Sequence, residues 1–233
     1  REEFSFGHSL NMGCEAASGD ILVITSGHCV PLDETWLQHL CQPILDDAAQ
    51  YTYGRQIGAS ESQFSECQIF SKYYPEENNH LENDFFCNNA NSAISRSVWA
   101  THRFDEKITG LEDMDLAKRL INDGGRVCYV PQSTVIHYHT ETWPQVKRRF
   151  EREAIALKKI MPQVHVSLFD TLRYTASSIF NDWTCAWHEK VWKRKAVEIV
   201  FYRWNQYFGA FKGNHEHREL SKKEKEKYYF PYQ

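Results

Sequence analysis

The stretch Gly110-Leu-Glu-Asp-Met-Asp-Leu-Ala-Lys-Arg-Leu120, followed by Gly124-Gly125-Arg126-Val-Cys-Tyr-Val-Pro131 and Val135-Ile-His-Tyr-His139, decides the fold. It reads as helix, turn, strand, strand. Leu116, Leu120 and Ile121 recur at helical spacing, and Glu112, Asp113 and Asp115 crowd the first turn, where the positive end of a helix dipole stabilises carboxylates. Gly124 and Gly125 stop the helix. Thr109-x-x-Glu112 has the spacing of a capping box, in which the Glu112 carboxylate returns to the cap amide. That accounts for one acid. Asp113 and Asp115 stay on a turn at the edge of a sheet, where a fixed carboxylate can act as a general base. Beyond Pro131, period-two alternation puts Val135, His137 and His139 on one strand face and Ile136 and Tyr138 on the other. Two imidazoles spaced in this way either satisfy structural groups or share a ligand, and the pattern leaves both open.

Working outward, Phe4 to Gly19 reads as a loop entering a helix, with Gly7 and Asn11 at its opening and Leu10, Cys14 and Ala17 on one face. Asp20-Ile-Leu-Val-Ile-Thr25 is a short unbroken apolar run, the pattern of a buried parallel strand, and it ends in Ser26-Gly27-His28. Ligands of open α/β sheets bind outside such strand ends. A helix follows Pro31, with Leu37, Leu40, Cys41, Ile44 and Leu45 on one face. Tyr51 to Ile57 is a strand, Phe64 to Tyr74 a short helix and Pro75 to Glu82 a loop. Phe85 to Arg96 brings Asn88, Asn89 and Asn91 onto a strand approach, and Ser95 caps the helix carrying Val98 and Trp99. The asparagines either satisfy backbone groups or form a polar wall for a hydroxyl-rich substrate.

After His139 the pattern is helical: Trp143 to Met161, then Leu168 to about Phe211 with a break near Asn181-Asp182. Trp183, Trp187, Trp192, Phe201, Tyr202, Trp204, Tyr207 and Phe208 alternate there with Lys193, Arg194, Lys195 and Arg203, which suits either packing on the body or a membrane interface. From Lys190 to Lys227 eleven Lys and Arg stand against five Glu, whereas the whole chain carries −4. The basic surplus thus belongs to the C-terminal part, which argues against nucleic-acid binding by the body. The organisation expected is a catalytic domain over 1–150, a helical, aromatic and basic extension over 151–220, and a charged tail over 221–233.

With 233 residues, 42% hydrophobic, the chain can bury a sizeable core. Seven cysteines, odd in number and without a CxxC pair, indicate neither a disulfide framework nor a zinc ribbon, and they fit a reducing, cytoplasmic setting. No apolar run approaches the roughly 20 residues that span a bilayer. The expectation is a soluble protein or one peripheral on the inner face of the plasma membrane.

Four segments in this order resemble a family 2 glycosyltransferase of the GT-A fold: Gly19 to Pro31, Asn88 to Arg96, Gly110 to Leu120, and Val127-x-x-x-Pro131 leading to His137. The resemblance covers roughly residues 4 to 150, and within the family it is closest to the rhamnosyltransferase-like bacterial group that builds surface polysaccharides. It implies an α/β, Rossmann-like fold with a mostly parallel central sheet flanked by helices, here with a C-terminal helical extension. It also implies inverting transfer of a sugar from a nucleoside-diphosphate sugar to a saccharide or lipid-linked acceptor.

By the resemblance, Asp113 is the general base that takes the acceptor proton, and Glu112, Asn89, Asn91 and Ser26 contact substrates. A divalent cation, Mn²⁺ or Mg²⁺, holds the diphosphate in the family. Here the family's Asp-x-Asp motif is replaced by Ser26-Gly27-His28, so His28 and His137 are expected to hold the metal or the diphosphate, and imidazole favours borderline ions over Mg²⁺. The family's N-terminal nucleotide-binding strands have no counterpart, and residues upstream of Arg1 are expected in the native protein. Two other classes compete: a non-catalytic glycan-binding or scaffold protein of the same fold, and a metal-dependent hydrolase using His28, His137, His139 and Asp113.

Overall fold

A computed structural model describes residues 4–77 and 84–216. The tail over 221–233 and the end of the loop over 75–82 lie outside the described residues. In chain order the elements are α1 (Phe6–Ala16), β1 (Ile21–Thr25), β2 (Cys29–Pro31), α2 (Trp36–Leu45), β3 (Tyr51–Gly58), α3 (Phe64–Tyr73), β4 (Asn91–Ser95), α4 (Arg96–Thr101), α5 (Glu112–Asn122), β5 (Val127–His137), α6 (Trp143–Ile160), α7 (Leu168–His188) and α8 (Trp192–Asn214). They fall into two compact units, the first built from Arg1–Glu61, Ile69–Lys107 and Leu111–His139, the second from Ser62–Gln68, Ile108–Gly110 and Thr140–Gln233.

The first unit holds a five-stranded sheet in the order β1-β4-β3-β5-β2. It is α/β, but the sheet is mixed, not mostly parallel: β3 and β5 run parallel, and the other three pairings are antiparallel. The apolar run of β1 pairs antiparallel with β4, Ile21 opposite Ser95 and Thr25 opposite Asn91. An unbroken apolar run reports burial, not strand direction, and Val23 is in fact exposed on this edge strand.

Alternate residues of β3 serve helices on opposite faces. Tyr51 and Tyr53 join Leu116 and Leu120 of α5 in the core, while the Thr52 hydroxyl donates to the Leu40 carbonyl of α2 at 2.7 Å. β5 is one strand running through Pro131. Its register on β3 jumps from Gly54 opposite Val130 to Arg55 opposite Thr134, so residues 131–133 bulge out, and a proline is tolerated where no ladder bond is needed.

Several local expectations change. Thr109 does not cap α5; Leu111 is the N-cap, in the left-handed region at φ 57°, and its side chain makes no cap bond. Glu112 is then the first helical residue and not the third, so the capping box is lost. A leucine at positive φ is strained, which marks the turn as one held by its surroundings. Gly7 and Asn11 lie on the buried face of α1 and do not merely open it. The Asn11 Oδ1 accepts from Trp99 Nε1 at 3.1 Å.

In the second unit α7 runs straight through Asn181-Asp182 and ends at His188, with Lys190 taking the left-handed stop at φ 61°. Tertiary pairing overrides the local break signal. Asp182, 3% exposed, accepts two bonds from Arg203, at 2.7 and 2.8 Å, and one from the Ser65 hydroxyl at 2.6 Å. Arg203 is therefore an internal ion pair and not part of a basic surface. Along α8, Gly209 and Gly213 face the Lys147 and Glu151 carbonyls of α6, where a Cβ would collide, so these glycines set the close approach of the two helices.

Candidate functional site

His28 is held by a turn in which the Cys29 N–H donates to the Ser26 carbonyl at 3.0 Å. β2 leaves this turn antiparallel to the end of β5, with Cys29 opposite His137, and the Tyr138 N–H donates to the His28 carbonyl at 3.0 Å. Residues 109 positions apart thus become neighbours. The ring centroids of His28 and His137 are 4.7 Å apart, those of His137 and His139 4.1 Å, and those of His28 and His139 5.4 Å. One nitrogen from each lies within 4.8 Å of the others. Phe70 of α3 stacks on His137 at 5.4 Å, so the cluster is walled on one side by an apolar ring and open at the exposed His28.

A chain of hydrogen bonds fixes which nitrogen His137 presents. The Asn88 Oδ1 accepts from the Ala90 N–H at 2.9 Å, so the atom facing it from Gln56 must be the donor Nε2, at 3.1 Å. Gln56 therefore turns Oε1 to His137 Nδ1, at 2.7 Å, and that nitrogen carries the proton. In the neutral ring Nε2 is then the lone-pair nitrogen. Gln56 did not stand out in the sequence as a site residue. Gln56, 1% exposed, is an amide buried between strands, and only its pairing beside β5 brings it to the imidazole.

The next residue carries the second half of the site. The Asn89 N–H donates to Asp113 Oδ2 at 2.8 Å, and Asp113 Oδ1 accepts from the Met114 N–H at 2.8 Å. Asp113 is 6% exposed, deeper than a base at the rim of an open cleft would be, whereas Glu112 beside it is half-buried. The Asn89 side chain is also buried, its Oδ1 accepting from the Tyr51 hydroxyl at 2.6 Å and from Ser92 Oγ at 2.8 Å. Its Nδ2 has no hydrogen-bond partner among the described residues. Burial pushes the Tyr51 hydroxyl and the Cys87 thiol well up, with the nearby Asp113 charge adding to the effect, so both are neutral hydrogen-bonding groups.

Asn91 differs from Asn89. Fully buried, it donates through Nδ2 to the Arg55 and Ser133 carbonyls at 3.2 and 2.8 Å and accepts from Trp36 Nε1 at 2.8 Å. It braces the strands around the bulge and does not line an open wall. Gly54 lies under it, where any Cβ would strike the Asn91 amide. Ser26 is partly exposed, and its N–H donates to the Ala90 carbonyl at 3.2 Å. The four segments that carry the resemblance are therefore joined, from Asp113 through Asn89 and Asn88 to Gln56 and His137, and from Ala90 through Ser26 to the His28 turn.

No family model and no curated protein sequence matches the chain. Among solved structures it is similar to a mannosyltransferase from Pyrobaculum calidifontis in complex with GDP-Man and Mn²⁺, with a TM-score of 0.54 and 13% identity. The match covers 89% of this chain, which spans 66% of that enzyme's length. At this identity the likeness is one of fold, and the fold is one that a glycosyltransferase uses.

Proposed function

We propose that the chain transfers a sugar, with inversion, from a nucleoside-diphosphate sugar to a saccharide or lipid-linked acceptor in the building of a surface polysaccharide. The observation that carries this reading is the buried Asn89 Nδ2, which has no hydrogen-bond partner among the described residues and sits on the very residue whose N–H holds the Asp113 carboxylate. Buried donors are nearly always satisfied, so such a group calls for a ligand acceptor. A sugar hydroxyl fits: its oxygen accepts from Asn89, and its proton passes to Asp113 as the hydroxyl attacks the anomeric carbon. The dipole at the start of α5 stabilises the negative charge on Asp113 that this role needs. Glu112 and Ser26 complete the proposed substrate contacts.

The imidazoles of His28 and His137 fit a divalent ion of the borderline class better than Mg²⁺, which prefers oxygen. When bound, such an ion supplies positive charge to the leaving diphosphate.

The exposed face of the helical unit favours a peripheral position on the inner, anionic membrane surface. Trp187 is 69% exposed, and Lys190, Lys193 and Arg194 are exposed around the same turn between α7 and α8, while Phe201 and Trp204 stand out farther along α8. Each such cation adds about 1 kcal/mol at an anionic surface. Trp183, Trp192 and Tyr202 pack inward and take no part. Among the described residues no helix is long and apolar enough to cross a membrane.

The test is product formation from a panel of nucleoside-diphosphate sugars with Mn²⁺, the anomeric configuration being read by NMR. Asp113→Asn is expected to keep donor binding and lower the transfer rate by about 10² to 10⁴. A wild-type rate in that variant would sink the role of Asp113. Glycan binding without turnover of any donor would favour the second reading, a non-catalytic binding protein, which the missing carboxylates at Ser26-Gly27-His28 support.

A further inference from the structure

We infer that His28, His137 and His139 together form a three-imidazole site selective for a divalent transition ion of the Zn²⁺ class, with Gln56 as its positioning residue. The inference deepens the reading of His28 and His137 above, adding a third ligand and the class of metal, but it does not need glycosyl transfer to hold.

Geometry comes first. The three donor nitrogens lie within 4.8 Å of one another. Nitrogens sharing one tetrahedral ion stand about 3.3 Å apart, as follows from metal–nitrogen bonds of about 2 Å. Closing the difference takes small side-chain rotations at His28, which is exposed on its turn, and at His139, which lies just past the end of β5. His137 is the fixed member, buried on the strand and stacked on Phe70.

Chemistry comes next. All three ligands of the cluster are imidazoles, which suit Zn²⁺, Co²⁺ and Ni²⁺, whereas Mg²⁺ and Ca²⁺ are held by carboxylate and carbonyl oxygens. Three protein ligands on a tetrahedral ion leave one position open, the arrangement of sites that bind a further ligand. A metal-bound histidine ordinarily donates its other ring N–H to an acceptor that sets its tautomer. Gln56 Oε1 does this for His137, and Asn88 in turn dictates which end of Gln56 faces the ring. The tautomer needed for metal binding is thus built into the fold.

The experiment is isothermal titration of the full chain with ZnCl₂, MnCl₂ and MgCl₂, with Co²⁺ absorption as a report of tetrahedral nitrogen ligation. One Zn²⁺ per chain is expected, bound roughly 10² or more tighter than Mg²⁺. His28→Ala, at an exposed position, and His139→Ala, at a partly buried one, are each expected to weaken Zn²⁺ by about tenfold or more. Gln56→Leu should weaken it by about 10- to 100-fold and, in the metal-free chain, move the His137 ring ¹⁵N signals away from the Nδ1–H tautomer. Mg²⁺ bound as tightly as Zn²⁺, or Zn²⁺ affinity unchanged in both histidine variants, overturns the site. Unchanged His137 ring ¹⁵N signals or unchanged Zn²⁺ affinity in Gln56→Leu overturns the positioning role. Zn²⁺ binding without sugar transfer leaves the site standing and counts against the transferase; transfer without Zn²⁺ binding does the reverse.

Discussion

The sheet unit and the helical unit bury polar groups in different ways. In the sheet unit the buried network from Gln56 through Asn88 and Asn89 is made of neutral amides, hydroxyls and an imidazole, with Asp113 as its charged end. In the helical unit it is made of ion pairs: Arg203 on Asp182, and Arg149 on both Glu66 and Glu141 at 2.6 and 2.7 Å. Neutral networks leave single donors and acceptors to offer a ligand, whereas paired charges consume one another and fix their elements. The first unit thus keeps polar groups that a ligand could engage, whereas the second uses its charges to hold helices at a set spacing.

Breaking the ion pair should give the largest loss of stability. Arg203→Ala leaves Asp182 charged and buried, and a cost of about 3 to 5 kcal/mol is expected in urea unfolding. Replacing Asp182 and Arg203 together with leucine and methionine should recover much of that, since a buried pair contributes little net stability against well-packed apolar side chains. A neutral brace should matter less. Asn91→Ala strands the Arg55 and Ser133 carbonyls and the Trp36 indole, at about 1 to 3 kcal/mol. If Asn91→Ala proves costlier than Arg203→Ala, the contrast between the two units fails. The smallest effect is expected at Trp187, whose exposed ring should change stability by less than about 0.5 kcal/mol when cut to alanine. The same variant, and Lys193→Glu, should weaken flotation with anionic vesicles; equal binding of the parent to neutral and anionic vesicles would remove the electrostatic part of the membrane reading.

Much of the fold was legible because its signals are local. Ser95 caps α4 by accepting from the Val98 N–H, and β3, α3 and α6 lie where their periodicity places them. What local pattern could not carry was pairing. The direction of β1 depends on β4, some 70 residues away, and the continuity of α7 depends on Arg203, 21 residues past Asp182. The candidate site was legible in its outer members, His28, His137, Asn89 and Asp113, because imidazoles, amides and carboxylates at strand ends attract notice. Gln56 escaped because a glutamine in a strand reads as solvent-facing until the neighbouring strand is known. Thr109 misled for the opposite reason: its spacing to Glu112 is right, but the left-handed Leu111 between them starts the helix two residues later than a capping box requires.

The bulge over residues 131–133 has a numerical consequence for the imidazole end of the site. Tyr129 pairs with Tyr53 and His137 with Gly58, so the two are eight residues apart on β5 but their partners are five apart on β3. Eight steps of an unbroken strand return a side chain to the same face, and five steps deliver it to the opposite one. The three-residue excursion reconciles the two counts and sends His137 to the face where Gln56 waits. Parity along β5 is therefore reset at Pro131. A residue gained or lost inside the excursion can be absorbed there without moving His137, whereas the same change between Thr134 and His137 would swing the imidazole through the sheet and away from its partners.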